Sequence, residues 1–96
     1  MGLKRYAAKR DLHEREIIDA LEAAGATVIR LSMTGVPDIL VGYSDIETGE
    51  PKNALMEIKT NKGKLTPDQL DWIADWRGQV FVVRSYQEAL EAIGRA

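Results

Sequence analysis

The chain has 96 residues, of which 45% are hydrophobic and 29% charged, and its formal net charge is −2 at pH 7. These values are typical of a globular protein, and the length predicts a single domain over residues 1–96. The sequence contains no cysteine, which excludes a disulfide framework, a thiolate metal site and a cysteine nucleophile.

No apolar run approaches the roughly 20 residues that cross a membrane. The first ten residues, MGLKRYAAKR, are too polar to contain the apolar stretch of a signal peptide. We therefore expect an intracellular protein, in the cytoplasm or inside a host cell, that is neither secreted nor associated with a membrane. A chain this short would also bury more surface as a homodimer.

Hydrophobic spacing in the first half of the chain predicts one helix followed by three strands. Ile17, Ile18 and Leu21 recur at helical spacing, and Gly25 supplies the stop. Short β-branched runs indicate the strands, and a polar loop containing Gly and Pro separates the last two. The predicted elements are a helix over residues 11–24, strands over 26–31 and 38–43, a loop over 44–53 and a strand over 54–60.

The second half of the chain begins with a helix start, because Thr66 can cap and Pro67 suits the first helical position. This helix is expected to end at Gly78, and a fourth strand is predicted over residues 79–84. Ser85 with Glu88 predicts a capping box for a last helix that runs through residue 93. The order α-β-β-β-α-β-α predicts an α/β fold in which helices flank a mixed central sheet.

Three residues of this pattern carry candidate chemistry. Asp38 opens one strand, and Glu57 and Lys59 share one face of the next strand because residues two apart point the same way. If the two strands are neighbours, both carboxylates converge at one end of the sheet, where they repel each other. A hard divalent cation such as Mg²⁺ would relieve that repulsion, and the lysine could contact a phosphate or orient water. The combination predicts hydrolysis of phosphodiester bonds.

An ordered set of motifs resembles the VRR-NUC group of the PD-(D/E)XK nucleases, which have a restriction-endonuclease-like core. The motifs are Gly35-Val36-Pro37-Asp38, Glu57-Ile58-Lys59-Thr60 and Gly63-Lys64-Leu65-Thr66-Pro67-Asp68-Gln69, followed by Val80-Phe81-Val82-Val83-Arg84-Ser85. The resemblance spans most of the chain and is to the standalone, minimal, phage-like kind. Glu-x-Lys alone is a weak signal, whereas the full set is specific.

The resemblance implies that Asp38 and Glu57 bind Mg²⁺, for which Mn²⁺ can substitute, and that the backbone carbonyl of Ile58 is a third ligand. Lys59 would be the catalytic lysine. Gln69 would contact the metal shell or the phosphate backbone.

The resemblance also implies an acidic residue on the first helix, which could fall on Glu14 or Glu16. We choose Glu14, as a catalytic residue and metal ligand, because it shares the inward face of the helix with Ile17 and Ile18.

We expect a homodimeric endonuclease that cuts branched DNA such as four-way (Holliday) junctions. The alternatives are a flap- or end-directed nuclease and a DNA-binding module without catalysis. Basic residues near the N-terminus and after the third strand are the predicted DNA contacts: Lys4, Arg5, Lys9, Arg10, Lys62 and Lys64.

Two further features favour structural interpretations. His13 is expected to be solvated. Trp72 and Trp76, four residues apart on one helical face, are expected in the core or in a dimer contact rather than as a base-stacking platform.

Overall fold

The computed structural model of the protein describes the backbone of residues 2–95 and the side chains of residues 9–95. Its four strands form one sheet in the order β1-β2-β3-β4, in which the first two pairings are antiparallel and β3 pairs with β4 in parallel. The elements are α1 (Gly2–Ala23), β1 (Thr27–Arg30), β2 (Ile39–Ser44), β3 (Pro51–Ile58), α2 (Pro67–Asp75), β4 (Val80–Val83) and α3 (Tyr86–Ala92). The predicted α/β class, element order and mixed sheet are confirmed.

The hydrophobic core lies between one face of the sheet and the helices α1 and α3, which contact each other. Ile39 is paired with Met56 across β2 and β3, so both side chains point to this face. Ile17 and Leu21 of α1 are fully buried against it. Because side chains alternate along a strand, Glu57 points to the opposite face. The core is thus kept on one side of the sheet, and the candidate carboxylate on the other.

Helix α1 begins nine residues before the predicted start at residue 11. Apolar periodicity is missing from this first part, but its Ala, Leu, Lys and Arg residues all have high helix propensity. The predicted stop is confirmed, since Gly25 adopts a φ of 97°. The N–H of Gly25 donates to the Glu22 carbonyl and that of Ala26 to the Leu21 carbonyl, each at 3.0 Å. These two bonds close the helix end in a Schellman motif.

Strand β3 begins at Pro51, inside the segment predicted as loop. Proline lacks an N–H and is tolerated at the first position of a strand, where Pro51 pairs with Ser44. The preceding turn is held by Asp45, whose carboxylate accepts the N–H groups of Glu47 and Thr48, both at 2.9 Å. The connection between β2 and β3 is therefore shorter than the polar composition predicts, and β3 begins earlier.

Helix α2 starts as predicted, with Thr66 as its N-cap. The Thr66 hydroxyl accepts the Gln69 N–H at 3.2 Å, and the Gln69 side chain accepts the Thr66 N–H at 3.0 Å, which is a capping box. The box predicted for α3 is only half formed. Ser85 accepts the Glu88 N–H, but the Glu88 carboxylate accepts the N–H of Arg84 at 2.8 Å instead of that of the N-cap.

The placement of Trp72 and Trp76 in the core is wrong, because α2 contains no buried residue. Their rings stack on each other with centroids 4.9 Å apart, and Trp76 is 44% exposed. This leaves the dimer contact as the remaining expectation. Among residues 2–95, no helix is both long enough and apolar enough to cross a bilayer.

Candidate active site

Asp38 immediately precedes β2, at the end of the sheet where β3 finishes. Its N–H donates to the Met56 carbonyl at 3.0 Å, although the strand register pairs Met56 with Ile39. The chain therefore steps out of register at Asp38. Its carboxylate oxygen Oδ2 accepts the N–H of Ile58 at 2.7 Å. This bond anchors the Asp38 carboxylate at the last residue of β3, next to Glu57.

Glu57 is a buried charged side chain, only 7% exposed. Its Oε2 lies 3.8 Å from the Lys59 Nζ and 3.5 Å from the Gln69 Nε2. The capping box orients Gln69, since the side chain that reaches Glu57 also accepts the Thr66 N–H. The strand face predicted for Glu57 and Lys59 and the convergence with Asp38 are thus both present. The hairpin pairing of β2 and β3 produces that convergence.

The Glu57 carboxyl is poorly suited to carry a charge without a cation. Burial, then the charge of Asp38, then a hydrogen bond with the Asp38 carboxyl raise the pKa of Glu57 from 4.5 to about 7, although the charges of Lys59 and Arg10 oppose the shift. A divalent cation at this point would offset the repulsion between the two carboxylates and favour their charged forms.

The oxygen donors at this point fit a hard cation such as Mg²⁺. In a strand, the N–H and C=O of one residue point to the same side. Because the Ile58 N–H faces Asp38, the Ile58 carbonyl is expected to point to the same edge of β3. Among the described residues, however, no group of three or more His, Asp or Glu side chains is arranged to hold a metal. The donor set would therefore be two carboxylates and one carbonyl, completed by water.

Glu14 lies in a cleft that it lines together with Asp38, Ile58 and Arg10. Its carboxylate is 3.5 Å from the Arg30 guanidinium, and its side chain is partly buried, whereas Glu16 is exposed. Glu14 therefore lines the same cleft as Asp38, but its carboxylate is paired with the Arg30 guanidinium.

The predicted DNA contacts lie on the surface where they are described. Lys9, Arg10, Lys62 and Lys64 are exposed, and Arg10 also lines the cleft beside Asp38. The side chains of Lys4 and Arg5 lie outside the described residues.

Two residues beside the site were not recognised in the sequence. The expectation of a solvated His13 is wrong, because the residue is partly buried and its Nε2 lies 3.0 Å from the Lys59 carbonyl oxygen. Arg84 donates from Nη1 to the carbonyls of Thr60 and Gly63, at 2.7 and 2.6 Å. The contacts of His13 and Arg84 join distant parts of the chain, so no local sequence motif predicts them.

The chain is similar to one solved structure, described as a VRR_NUC domain. The TM-score is 0.65 and the sequence identity 27%, and the match covers 86% of this chain and 91% of that one. No protein-family model matches the chain, and no curated protein does. The resemblance to a VRR-NUC domain that the motifs indicate is confirmed, and the fold is that of a nuclease.

Proposed function

We propose that the protein is a metal-dependent endonuclease that hydrolyses phosphodiester bonds in DNA. One observation carries the proposal. At the end of the sheet, the Asp38 carboxylate accepts the Ile58 N–H at 2.7 Å beside the buried Glu57, and the Lys59 ammonium lies 3.8 Å from the Glu57 carboxylate. Two acidic oxygen donors and a half-buried ammonium at one point are the groups that metal-assisted phosphate hydrolysis requires. The nuclease fold of the similar VRR_NUC domain supports the same function.

Each residue of the site has a distinct role in this proposal. Asp38, Glu57 and the Ile58 carbonyl would hold Mg²⁺ or Mn²⁺, with Glu14 as a further acidic group of the cleft. When bound, the cation supplies an activated water and neutralises phosphate charge.

The remaining roles belong to two side chains beside Glu57. Lys59 would place its ammonium against the phosphate oxygens, where negative charge develops. Gln69, fixed by the Thr66 capping box, would hold the Glu57 carboxylate in position. The alternative of a DNA-binding module without catalysis is disfavoured, because every one of these groups is present.

We further propose that the DNA is branched and that the protein acts as a homodimer. A single small domain follows one phosphate track, whereas two sites related by a two-fold axis can engage the symmetric strands of a four-way junction. The exposed apolar side of α2 supports pairing. Leu70 is 54% exposed and Trp76 44% exposed, and both lie on or next to an element without buried residues.

A panel of labelled substrates tests the function and its preferred form. Linear, flap and four-way DNA are incubated with the protein in Mg²⁺, in Mn²⁺ and in EDTA, and the oligomeric state is measured by light scattering. The proposal predicts cleavage only with metal, a preference for four-way DNA and the mass of a dimer. If the protein is a monomer that prefers flaps or DNA ends, junction cleavage is refuted and the flap- or end-directed nuclease is supported. Binding to DNA without cleavage under any metal condition would refute the nuclease.

A further inference from the structure

A second cleft adjoins the carboxylate site and differs from it in charge. It has a volume of about 400 Å³ and is lined by His13, Thr60, Asn61, Lys62 and Arg84. None of these described lining residues is acidic, and two are cations. The cleft beside Asp38 is also lined by His13 and Thr60, so the two clefts are neighbours. A ligand that reaches from one to the other would pass from the carboxylates to a basic, acid-free surface.

The wall of this basic cleft is held in place from two sides. The turn after Lys59 is fixed by Arg84, through the carbonyls of Thr60 and Gly63. From the other side, His13 of α1 bonds the Lys59 carbonyl. Three backbone carbonyls within five residues are therefore bound by side chains from two other parts of the chain. Because the wall is already ordered before a ligand binds, binding does not have to lose the entropy of ordering it, and the affinity is higher.

The donors on this wall match a phosphate group. Arg84 uses only Nη1 for its two carbonyls, and a guanidinium has five N–H donors, which leaves donors on its other nitrogens. Lys62 and Asn61 are exposed on the same turn and add an ammonium and an amide. Guanidinium and ammonium groups are the usual partners of phosphate oxygens. A neutral or cationic ligand would gain little from this set.

We propose that this cleft binds an internal backbone phosphate of the DNA strand, next to the phosphate placed at Asp38 and Glu57. The inference rests on the proposed nuclease function and adds a second anchoring point on the same strand. Lys62 and Asn61 contact the phosphate, and Arg84 both shapes the turn and contributes charge. The cleft thereby positions the strand across the carboxylates.

Anisotropy with a labelled branched duplex in EDTA tests the proposal separately from cleavage. Each duplex in a series carries one methylphosphonate linkage, which removes the charge of a single phosphate. The position of this linkage differs from one duplex to the next along the strand. At one internal position, the methylphosphonate weakens binding of the wild type and of Lys64→Ala to the same extent, but weakens binding of Lys62→Ala by a smaller factor. Lys64 is the control for position: it is an exposed lysine two residues away that does not line the cleft, so its loss can change overall affinity but leaves the response to this one linkage intact. Lys62→Ala also lowers the slope of log affinity against log salt by about 0.9.

Two results would overturn the proposal. One is that Lys62→Ala and Asn61→Ala keep the full methylphosphonate effect at every position, so that no internal phosphate depends on the cleft. The other is that only removal of a terminal 5′-phosphate weakens binding, which would assign the cleft to a strand end. Neither result affects the nuclease assignment, which depends on metal-dependent cleavage and not on binding in EDTA.

Discussion

Replacing Glu57 by glutamine should make the metal-free protein more stable at neutral pH. The Glu57 carboxyl has a pKa of 4.5 in the unfolded chain and about 7 in the folded protein. The folded state therefore binds this proton more tightly, and the resulting stabilisation is complete below pH 4.5 and is lost as the pH rises through 7. Glutamine has the same shape and does not titrate. The Glu57→Gln protein thus avoids the loss.

The shift of the Glu57 pKa from 4.5 to about 7 fixes the size of the effect. At 1.36 kcal/mol for each pKa unit, the free energy of unfolding of Glu57→Gln should rise relative to the wild type by about 3 kcal/mol between pH 4.5 and pH 8. Urea unfolding in EDTA at several pH values measures this difference. Glu50→Gln is the matched control, because Glu50 is exposed on the hairpin at the opposite end of β2.

A difference between wild type and Glu57→Gln that does not change with pH would refute the reasoning. It would mean that the carboxyl titrates alike in both states, and so that Asp38 and burial do not act on it. An equal pH dependence in the Glu50→Gln comparison would assign the effect to general charge instead of this site.

Three further predictions concern the metal, the cap and the basic turn. Mn²⁺ at a hundred times its dissociation constant should stabilise the wild type by about 2.7 kcal/mol in thermal unfolding; an equal gain in Asp38→Asn would exclude this site. Thr66→Ala should lower the free energy of unfolding by about 1 kcal/mol in urea, because the α2 cap is removed; an unchanged midpoint would show that the cap contributes nothing. Replacing both Lys62 and Lys64 should flatten the salt dependence of DNA binding by about 0.9 for each phosphate that is no longer neutralised, with Mn²⁺ affinity unchanged; an unchanged slope would make them ordinary surface lysines.

Local signals in the sequence account for most of the fold. The spacing of Ile17 and Leu21, the stop at Gly25 and the cap at Thr66 act over a few residues, and each is present in the structure. The start of α1 and the pairing of Pro51 were missed for different reasons. The start of α1 has high helix propensity but no apolar stripe, so hydrophobic spacing does not reveal it. Pro51 pairs with Ser44 because the hairpin turn before it is short, which the polar composition of the segment does not indicate.

In the candidate site, too, local sequence patterns predict some features, whereas contacts between distant parts of the chain were missed. The two-residue alternation was enough to place Glu57 and Lys59 on one face of the strand, and the structure shows that Met56 and Ile58 point into the core on the other face. The contacts of His13 and Arg84 with the turn after Lys59 span 21 to 46 residues. Such contacts depend on the assembled sheet and helices, so local pattern could not predict them.

The most direct test of the account is single-turnover cleavage of four-way DNA in Mg²⁺ by wild type, Glu57→Gln and Glu50→Gln. The account predicts that cleavage requires Mg²⁺, that Glu50→Gln cuts like the wild type, and that Glu57→Gln is slower by about 100-fold or more. The stability measurement in EDTA establishes that the Glu57→Gln protein is folded. A folded Glu57→Gln protein that cuts at the wild-type rate would contradict the central claim.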